Sequence, residues 1–264
     1  MYAFEWHKAT SIADASAALA RSGGRALAGG QSLIAAMRLR LAQPGTLVDL
    51  AGVPELRGIR TSTEGLTIGA MTRHAEVAAS ADVKRTIPAL AALAEGIGDA
   101  QIRNMGTIGG SIATNDPAAD WPAGVVGLAA TVTTNKRSIP ADAFFTGLYE
   151  TALGGDEIIT EVAFRKPRRA AYVKFPNPAS RFALVGVFVA QLGDGSVRVA
   201  VSGAGPCVFR SGPLEAALSK SFAPDAARQV KISDDGLNGD LHGSPAYRAH
   251  LIAVLAGRAV AAAG

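Results

Sequence analysis

Two stretches carry residue types that could bind an anion: Ala28-Gly29-Gly30-Gln31-Ser32-Leu33 and Thr107-Ile108-Gly109-Gly110-Ser111. Glycine has no Cβ, so backbone N–H groups at such turns can approach a phosphate closely, and the hydroxyls of Ser32, Thr107 and Ser111 can add hydrogen bonds. Each pair reads as lying where a strand ends, with both loops offering free N–H groups, so that a pyrophosphate could sit between them. On this reading a side chain at Gly30 or Gly110 would clash with the ligand and leave the fold intact. The run Asn115-Asp116-Pro117 and then Asp120 follow the second pair, and a carboxylate beside a nucleotide commonly accepts the ribose hydroxyls. Gly-Gly is also an ordinary tight turn, which is how Gly23-Gly24 and Gly154-Gly155 read. The residue types alone point to a nucleotide-binding protein.

Other chemistry is excluded by inventory. No G-x-G-x-x-G follows a strand, and P-loop, H-E-x-x-H and G-x-S-x-G motifs are absent. The histidines His7, His74, His242 and His250 show no metal-ligand spacing, and His74 reads as a surface or satisfied core residue. The single cysteine, Cys207, cannot form an internal disulfide or hold an iron–sulfur cluster. Redox chemistry would therefore need a bound organic cofactor. Lys and Arg total 26 against 22 acidic residues, a net +4, but they are scattered apart from short clusters such as Arg165 to Arg169, so no nucleic-acid groove is indicated. The charged start, Met1 to Lys8, does not read as a signal peptide, and the longest apolar run, Ala123 to Val132, is about half a membrane span. A cytoplasmic protein without a transmembrane segment is expected.

The elements that must position these loops can be read from pattern. A helix is expected over Ser11 to Arg21 with Ser11 as N-cap, then a strand at Arg25 to Ala28, a helix at Ser32 to Leu41 and a strand at Thr46 to Leu50. A hairpin follows, Leu56 to Thr61 with Leu66 to Ala70, then helices at Arg73 to Ser80, Pro88 to Glu95 and Pro122 to Leu128, and strands at Ala130 to Thr134 and Glu157 to Phe164. Phe182 to Leu192 and Ser196 to Ser202 flank Gly193-Asp194-Gly195, a hairpin signal. Helices are expected at Pro213 to Ser219 and Pro224 to Lys231, and a long one opens at Ser244-Pro245 with Tyr247, Leu251, Val254 and Leu255 along one stripe. The fold class is α+β in three parts, residues 1–52, 53–168 and 169–264, the last a small antiparallel sheet backed by a helical bundle.

Ala28 to Leu33, Gln101-Ile-Arg-Asn-Met-Gly-Thr-Ile-Gly-Gly-Ser-Ile112 and Asp116-Pro-Ala-Ala-Asp120 resemble the two flavin motifs of the FAD-binding medium subunit of the xanthine dehydrogenase and carbon monoxide dehydrogenase family. Asp240 to Leu251 is similar to the C-terminal helical segment of these subunits, so the resemblance spans essentially the whole chain. It implies an FAD-binding fold of the vanillyl-alcohol-oxidase (PCMH) type, with two α+β subdomains clasping FAD and a C-terminal domain of the carbon monoxide dehydrogenase flavoprotein type. By position, it implies that Ala28, Gly29, Gly30, Gln31, Ser32 and Leu33 line the pyrophosphate, with Thr107, Gly109, Gly110 and Ser111 opposite. Asp120 would bind the ribose, Ile97 and Ile159 would pack on the ring systems with Thr114 beside them, and Lys174 would lie near the flavin. Bland readings stand beside these: Ile97 and Ile159 as core, Lys174 as a solvated strand residue, Asp120 as a helix N-cap. One departure is Arg181, which stands where the family usually has an acidic residue.

The resemblance further implies an electron-transfer subunit of a molybdenum hydroxylase, a heterotrimer or its dimer. A large subunit would carry molybdopterin, a small one two [2Fe–2S] clusters, and this chain the FAD that passes electrons to an external acceptor. No catalytic acid, base or nucleophile is then needed here. A self-sufficient FAD-dependent oxidoreductase of the same fold is the alternative, and a scaffold that has lost FAD is a weaker one.

Overall fold

The first part of the chain is built around capping signals that the sequence displays openly. Ser11 accepts a hydrogen bond from the Asp14 N–H at 3.1 Å, starting a helix over Ile12–Ser22 that Gly23 ends in the left-handed conformation, φ 57°. In the computed structural model, which describes residues 1–264, this helix packs on a three-stranded parallel sheet. Thr46–Asp49 is its central strand, with Glu5–Lys8 on one side and Arg25–Leu27 on the other. Glu5–Lys8 escapes prediction because an exposed edge strand reading Glu-Trp-His-Lys has no apolar face to show. The helix after the first glycine loop is shorter than expected, Leu33–Arg38.

The second part is a five-stranded antiparallel sheet in the order Ile59–Thr61, Gly65–Gly69, Ile159–Arg165, Thr131–Thr134, Ser138–Pro140. Six short helices connect its strands: His74–Ala79, Ala81–Thr86, Pro88–Glu95, Ala100–Met105, Ile108–Thr114 and Trp121–Gly127. Two of these, Ala81–Thr86 and Ala100–Met105, have no counterpart in the periodicity, which six residues cannot establish, although Ser80 and Asp99 cap them with side-chain hydrogen bonds. Gly109 and Gly110 do not follow a strand, contrary to the reading of the sequence. They lie inside the helix Ile108–Thr114, and the only β contact there is an isolated bridge between Arg73 and Thr107.

The third sheet is antiparallel, Arg169–Pro176, Ala183–Gln191, Val197–Ser202 and Phe209–Arg210, with Gly195 supplying φ 88° in the expected hairpin turn. Its central strands are buried on both faces. Val185, Val187, Val189, Val199 and Val201 face the helices Gly212–Lys220, Pro224–Arg228 and Pro245–Ala262. Phe188, Ala190 and Ala200 point the other way, into the core of the second part. A Cβ on Gly127 would fall 2.6 Å from Phe188 Cδ1, so the helix Trp121–Gly127 lies directly on this sheet. Residues on either side of position 168 thus share one hydrophobic core. The long helix turns Leu251, Ile252, Leu255 and Ala256 inward, while Tyr247, expected in the buried stripe, is 40% exposed in its first turn. No helix is long and apolar enough to cross a membrane.

Candidate functional site

The first glycine loop connects the strand Arg25–Leu27 to the helix Leu33–Arg38. None of the backbone N–H groups from Ala28 to Leu33 has a hydrogen-bond partner in the chain; intrahelical bonding resumes with Ile34 N–H to Gly30 O at 3.0 Å. Gly30 takes φ 72°, which bends the chain so that this run of donors can converge. The Ser32 side chain makes no capping bond, leaving its hydroxyl free, and the Gln31 amide donates to Gly29 O at 3.0 Å. Successive unpartnered amides of this kind form an anion-binding concavity.

The second loop differs. Ile108 N–H bonds Thr72 O at 3.2 Å, Gly109 N–H bonds Ala70 O at 2.8 Å, Gly110 N–H bonds the capping Thr107 hydroxyl at 3.1 Å, and Ser111 N–H bonds Thr107 O at 3.0 Å. The expectation that both loops offer free amides is therefore corrected. Gly109 is required by packing, since a Cβ there would sit 2.6 Å from Ala70 Cβ. The Thr114 hydroxyl donates to Gly110 O at 2.8 Å. In this loop the spare donors are the Thr107 N–H, which has no partner in the chain, and the hydroxyl of half-buried Ser111.

The two loops touch. A Cβ on Gly29 would lie 2.1 Å from Met105 O and 2.7 Å from Gly106 Cα, and one on Gly110 would lie 3.2 Å from Ala28 Cβ and 3.0 Å from the Thr107 hydroxyl. The glycines are thus needed for the protein's own contacts, and the expectation that a side chain at Gly30 or Gly110 would clash only with ligand does not hold: Gly30 would strain at its positive φ and Gly110 would crowd Ala28.

Asp120 precedes the helix Trp121–Gly127 but makes no capping bond. Its buried carboxylate accepts from the Tyr172 hydroxyl at 2.5 Å and from Lys174 Nζ at 3.0 Å. Burial pushes its pKa up while Lys174 and Tyr172 pull it down, and the Tyr172 phenol is raised well above its ordinary value by burial and by Asp120. The preceding loop is pinned to the third sheet by Ala183 N–H to Ala118 O at 3.2 Å and Gly203 N–H to Pro117 O at 2.7 Å. Lys174 Nζ also donates to Arg181 O at 2.9 Å, and the Arg181 guanidinium reaches Gly98 O at 3.2 Å. Arg181 thus spans from the loop between the first two strands of the third sheet to the turn after Ile97.

Ala28 to Leu33, Thr107, Gly109, Gly110, Ser111 and Thr114 are accordingly gathered in one junction, and Asp120 and Lys174 in an ion pair. Ile97 is half-buried, its carbonyl accepting from Arg103 at 3.0 Å. Ile159 is a core residue, 5% exposed, one position before Thr160, whose carbonyl receives Ala70 N–H beneath Gly109.

Three residues that the sequence reading did not assign to the site belong to this region, among them His74, whose reading as a satisfied core residue holds. Tyr172 shares a strand face with Lys174, a relation that the i, i+2 spacing could have shown. Asn115, in the left-handed conformation, donates to Gly147 O and Glu150 O at 2.8 and 2.7 Å, which no local pattern announces. His74 is 4% exposed, accepts from Trp121 Nε1 at 3.0 Å and has its pKa pulled down to about 4 by burial and by Arg103.

A diphosphate fits the first loop: it needs several donors without intervening side chains, and residues 28–33 present six unpartnered amides and a free serine hydroxyl. Residues 2–166 match the family model described as the FAD binding domain in molybdopterin dehydrogenase. The carbon monoxide dehydrogenase medium chain of Hydrogenophaga pseudoflava is 36% identical over 277 residues, covering 98% of this chain and 96% of that one. The nicotine 6-hydroxylase medium subunit of Paenarthrobacter nicotinovorans is also 36% identical, over 90% and 89% of the two chains. A chain in the structure of reconstituted CO dehydrogenase from Oligotropha carboxidovorans superposes with a TM-score of 0.93 at 30% identity, covering 99% and 98%.

Proposed function

The chain belongs to the family of FAD-binding domains of molybdopterin dehydrogenases, and on that premise we propose that it is the electron-passing subunit of a cytoplasmic molybdenum hydroxylase. The observation that carries the placement of the cofactor is the run of six unpartnered amides from Ala28 to Leu33. These amides and the Ser32 hydroxyl hold the diphosphate, Gly109 and Gly110 form the apolar platform opposite, and the Ser111 hydroxyl adds a donor. Asp120 offers its carboxylate to a ribose while Lys174 and Tyr172 hold it in place, and Ile97 and Thr114 flank the rings. Ile159 supports them from the core.

FAD, when bound, supplies the redox chemistry that takes electrons from the [2Fe–2S] clusters of a small partner subunit and delivers them to an external acceptor. The protein's contribution is to bind, orient and exclude water, and the large molybdopterin partner oxidises the substrate. The test is the flavin content of the purified chain, read by absorbance after denaturation, for wild type and Gly29→Ala. One FAD per wild-type chain and its loss in the variant support the reading; equal occupancy in the two removes the first loop from the site.

A further inference from the structure

His74 lies outside every motif that marks the cofactor site, yet its ring stands directly behind the junction of the two glycine loops. A Cβ on Gly106 would fall 2.7 Å from His74 Nε2 and 2.9 Å from Cδ2, and one on Gly29 would fall 2.7 Å from Gly106 Cα. The imidazole edge, the Gly106 backbone and Gly29 therefore form a stack with no room for a side chain between its members. The backbone closes the same contact, with His74 N–H donating to Gly106 O at 3.0 Å.

The ring is fixed from its other side. The indole of fully buried Trp121 has a single N–H, which it donates to His74 Nδ1 at 3.0 Å. That bond requires a lone pair on Nδ1, so the proton of the neutral ring sits on Nε2, facing Gly106. A second proton would abolish the acceptor and place a charge in a buried site. Arg103 on the helix Ala100–Met105 adds repulsion. The nearby carboxylates are otherwise engaged: Glu76, on the helix of His74, accepts from Arg73 N–H, and Asp120, next to Trp121, is held by Tyr172 and Lys174.

We propose that His74 is a positioning residue for the cofactor: its neutral ring sets the place of Gly106, which sets Gly29 and with it the run of amides from Ala28 to Leu33. The inference rests on the reading of that loop as the diphosphate site. It distinguishes the ring's two duties. The edge toward Gly106 serves binding, and the Nδ1 acceptor toward Trp121 serves stability and keeps the ring neutral.

The experiment titrates FAD into the apo form of the full chain, for wild type, His74→Asn and His74→Phe, with urea unfolding of each apo protein in parallel. Asn keeps an acceptor for Trp121 but cannot fill the space against Gly106, and its FAD Kd should rise about tenfold or more. Phe keeps a ring against Gly106 and leaves the indole N–H unpaired, so it should lose stability while holding FAD within about threefold of wild type. Wild-type affinity should hold while the ring stays neutral and fall only as pH drops to about 4 and below, and the Phe variant should not share that fall. A purely structural histidine would make affinity follow stability across both variants, and that pattern overturns the proposal. So does an Asn variant that binds FAD as wild type does. Should neither variant fold, the wild-type pH profile decides, a Kd still flat once pH has passed below about 4 being the overturning result. Gly29→Ala separates the two readings: if it keeps FAD, the diphosphate placement fails; if it loses FAD while His74→Asn keeps it, only the role of His74 fails.

Discussion

Lys174 Nζ stands 3.0 Å from Asp120 Oδ2, joining a strand of the third sheet to the loop that leads into the helix Trp121–Gly127. The Lys174 side chain is 11% exposed and that of Asp120 4%, so neither charge is screened by water. Asp120→Asn would leave a buried cation without its partner, and about 3 kcal/mol of stability should be lost in urea unfolding of the apo chain. In a Lys174→Met background the same change should cost only about 1 kcal/mol, because the orphaned charge is gone. An apo Asp120→Asn protein as stable as wild type would mean that the carboxylate serves ligand alone.

Glu157 gives the fold a dependence on acid. Its carboxylate accepts from Arg137 at 2.9 and 3.0 Å, Gly154 N–H at 2.9 Å and the Thr134 hydroxyl at 2.7 Å. Arg137 foremost, with Gly154 and Thr134, holds its pKa down to about 2, against an ordinary value of 4.5. The folded state thus binds this proton more weakly than the unfolded chain, so the contribution is complete above 4.5 and disappears as pH falls toward about 2. Half-exposed Arg137 weakens the pair, leaving about 2 kcal/mol to be lost across that window. Glu157→Gln should flatten this part of the stability curve, and an unchanged slope in chemical denaturation at successive pH values would assign it to another group.

How far the site could be read from sequence depended on whether its residues act locally. Gly30 and Ser11 act through their own turn, and the motif around Gly30 and the cap at Ser11 were both legible. Gly109 and Gly110 were legible as special but misread as a strand-end turn with free N–H groups, because the pair lies in a helix and packs on Ala70 and Ala28, which sequence distance conceals. Asp120 had two readings, ribose ligand and helix cap. The structure removes the second by showing partners 52 and 54 residues away, on a sheet whose pairing no local pattern specifies. The shared core across position 168 was equally hidden: a strand buried on both faces, Ala183–Gln191, shows no alternation that would reveal two different packing partners.

The glycines of the junction should rank by what a methyl group would strike. At Gly29 it would lie 2.1 Å from the Met105 carbonyl, a backbone atom that cannot rotate aside, so Gly29→Ala must push the loops apart. At Gly30 it would meet Ile34 Cγ1 at 3.0 Å with φ at 72°, a strain of about 1 kcal/mol confined to one turn. At Gly110 it would meet the Thr107 hydroxyl at 3.0 Å and Ala28 Cβ at 3.2 Å, both within reach of small adjustment. FAD titration should place Gly29→Ala as the weakest binder of the three, and a weaker Gly110→Ala would shift the binding surface to the second loop.

The isolated chain should bind FAD yet fail to oxidise the organic substrate of its complex. A [2Fe–2S] cluster takes four cysteine ligands, or two with two histidines, and this chain has one cysteine, Cys207, half-buried with its thiol pKa pushed up by burial. The groups near the junction that could act as a base already accept hydrogen bonds: His74 from Trp121, Asp120 from Lys174 and Tyr172, Thr107 from Gly110 N–H. None is left as a base positioned to take a proton from a substrate carbon. Under anaerobic conditions the lone chain's flavin should therefore be bleached by dithionite but not by aldehydes, purines, N-heterocycles or carbon monoxide. Adding an iron–sulfur subunit and a molybdopterin subunit should confer bleaching by one of these substrates, and omitting either should abolish it. Bleaching of the lone chain at the rate of the assembled complex would sink the electron-passing role and establish a self-sufficient oxidoreductase.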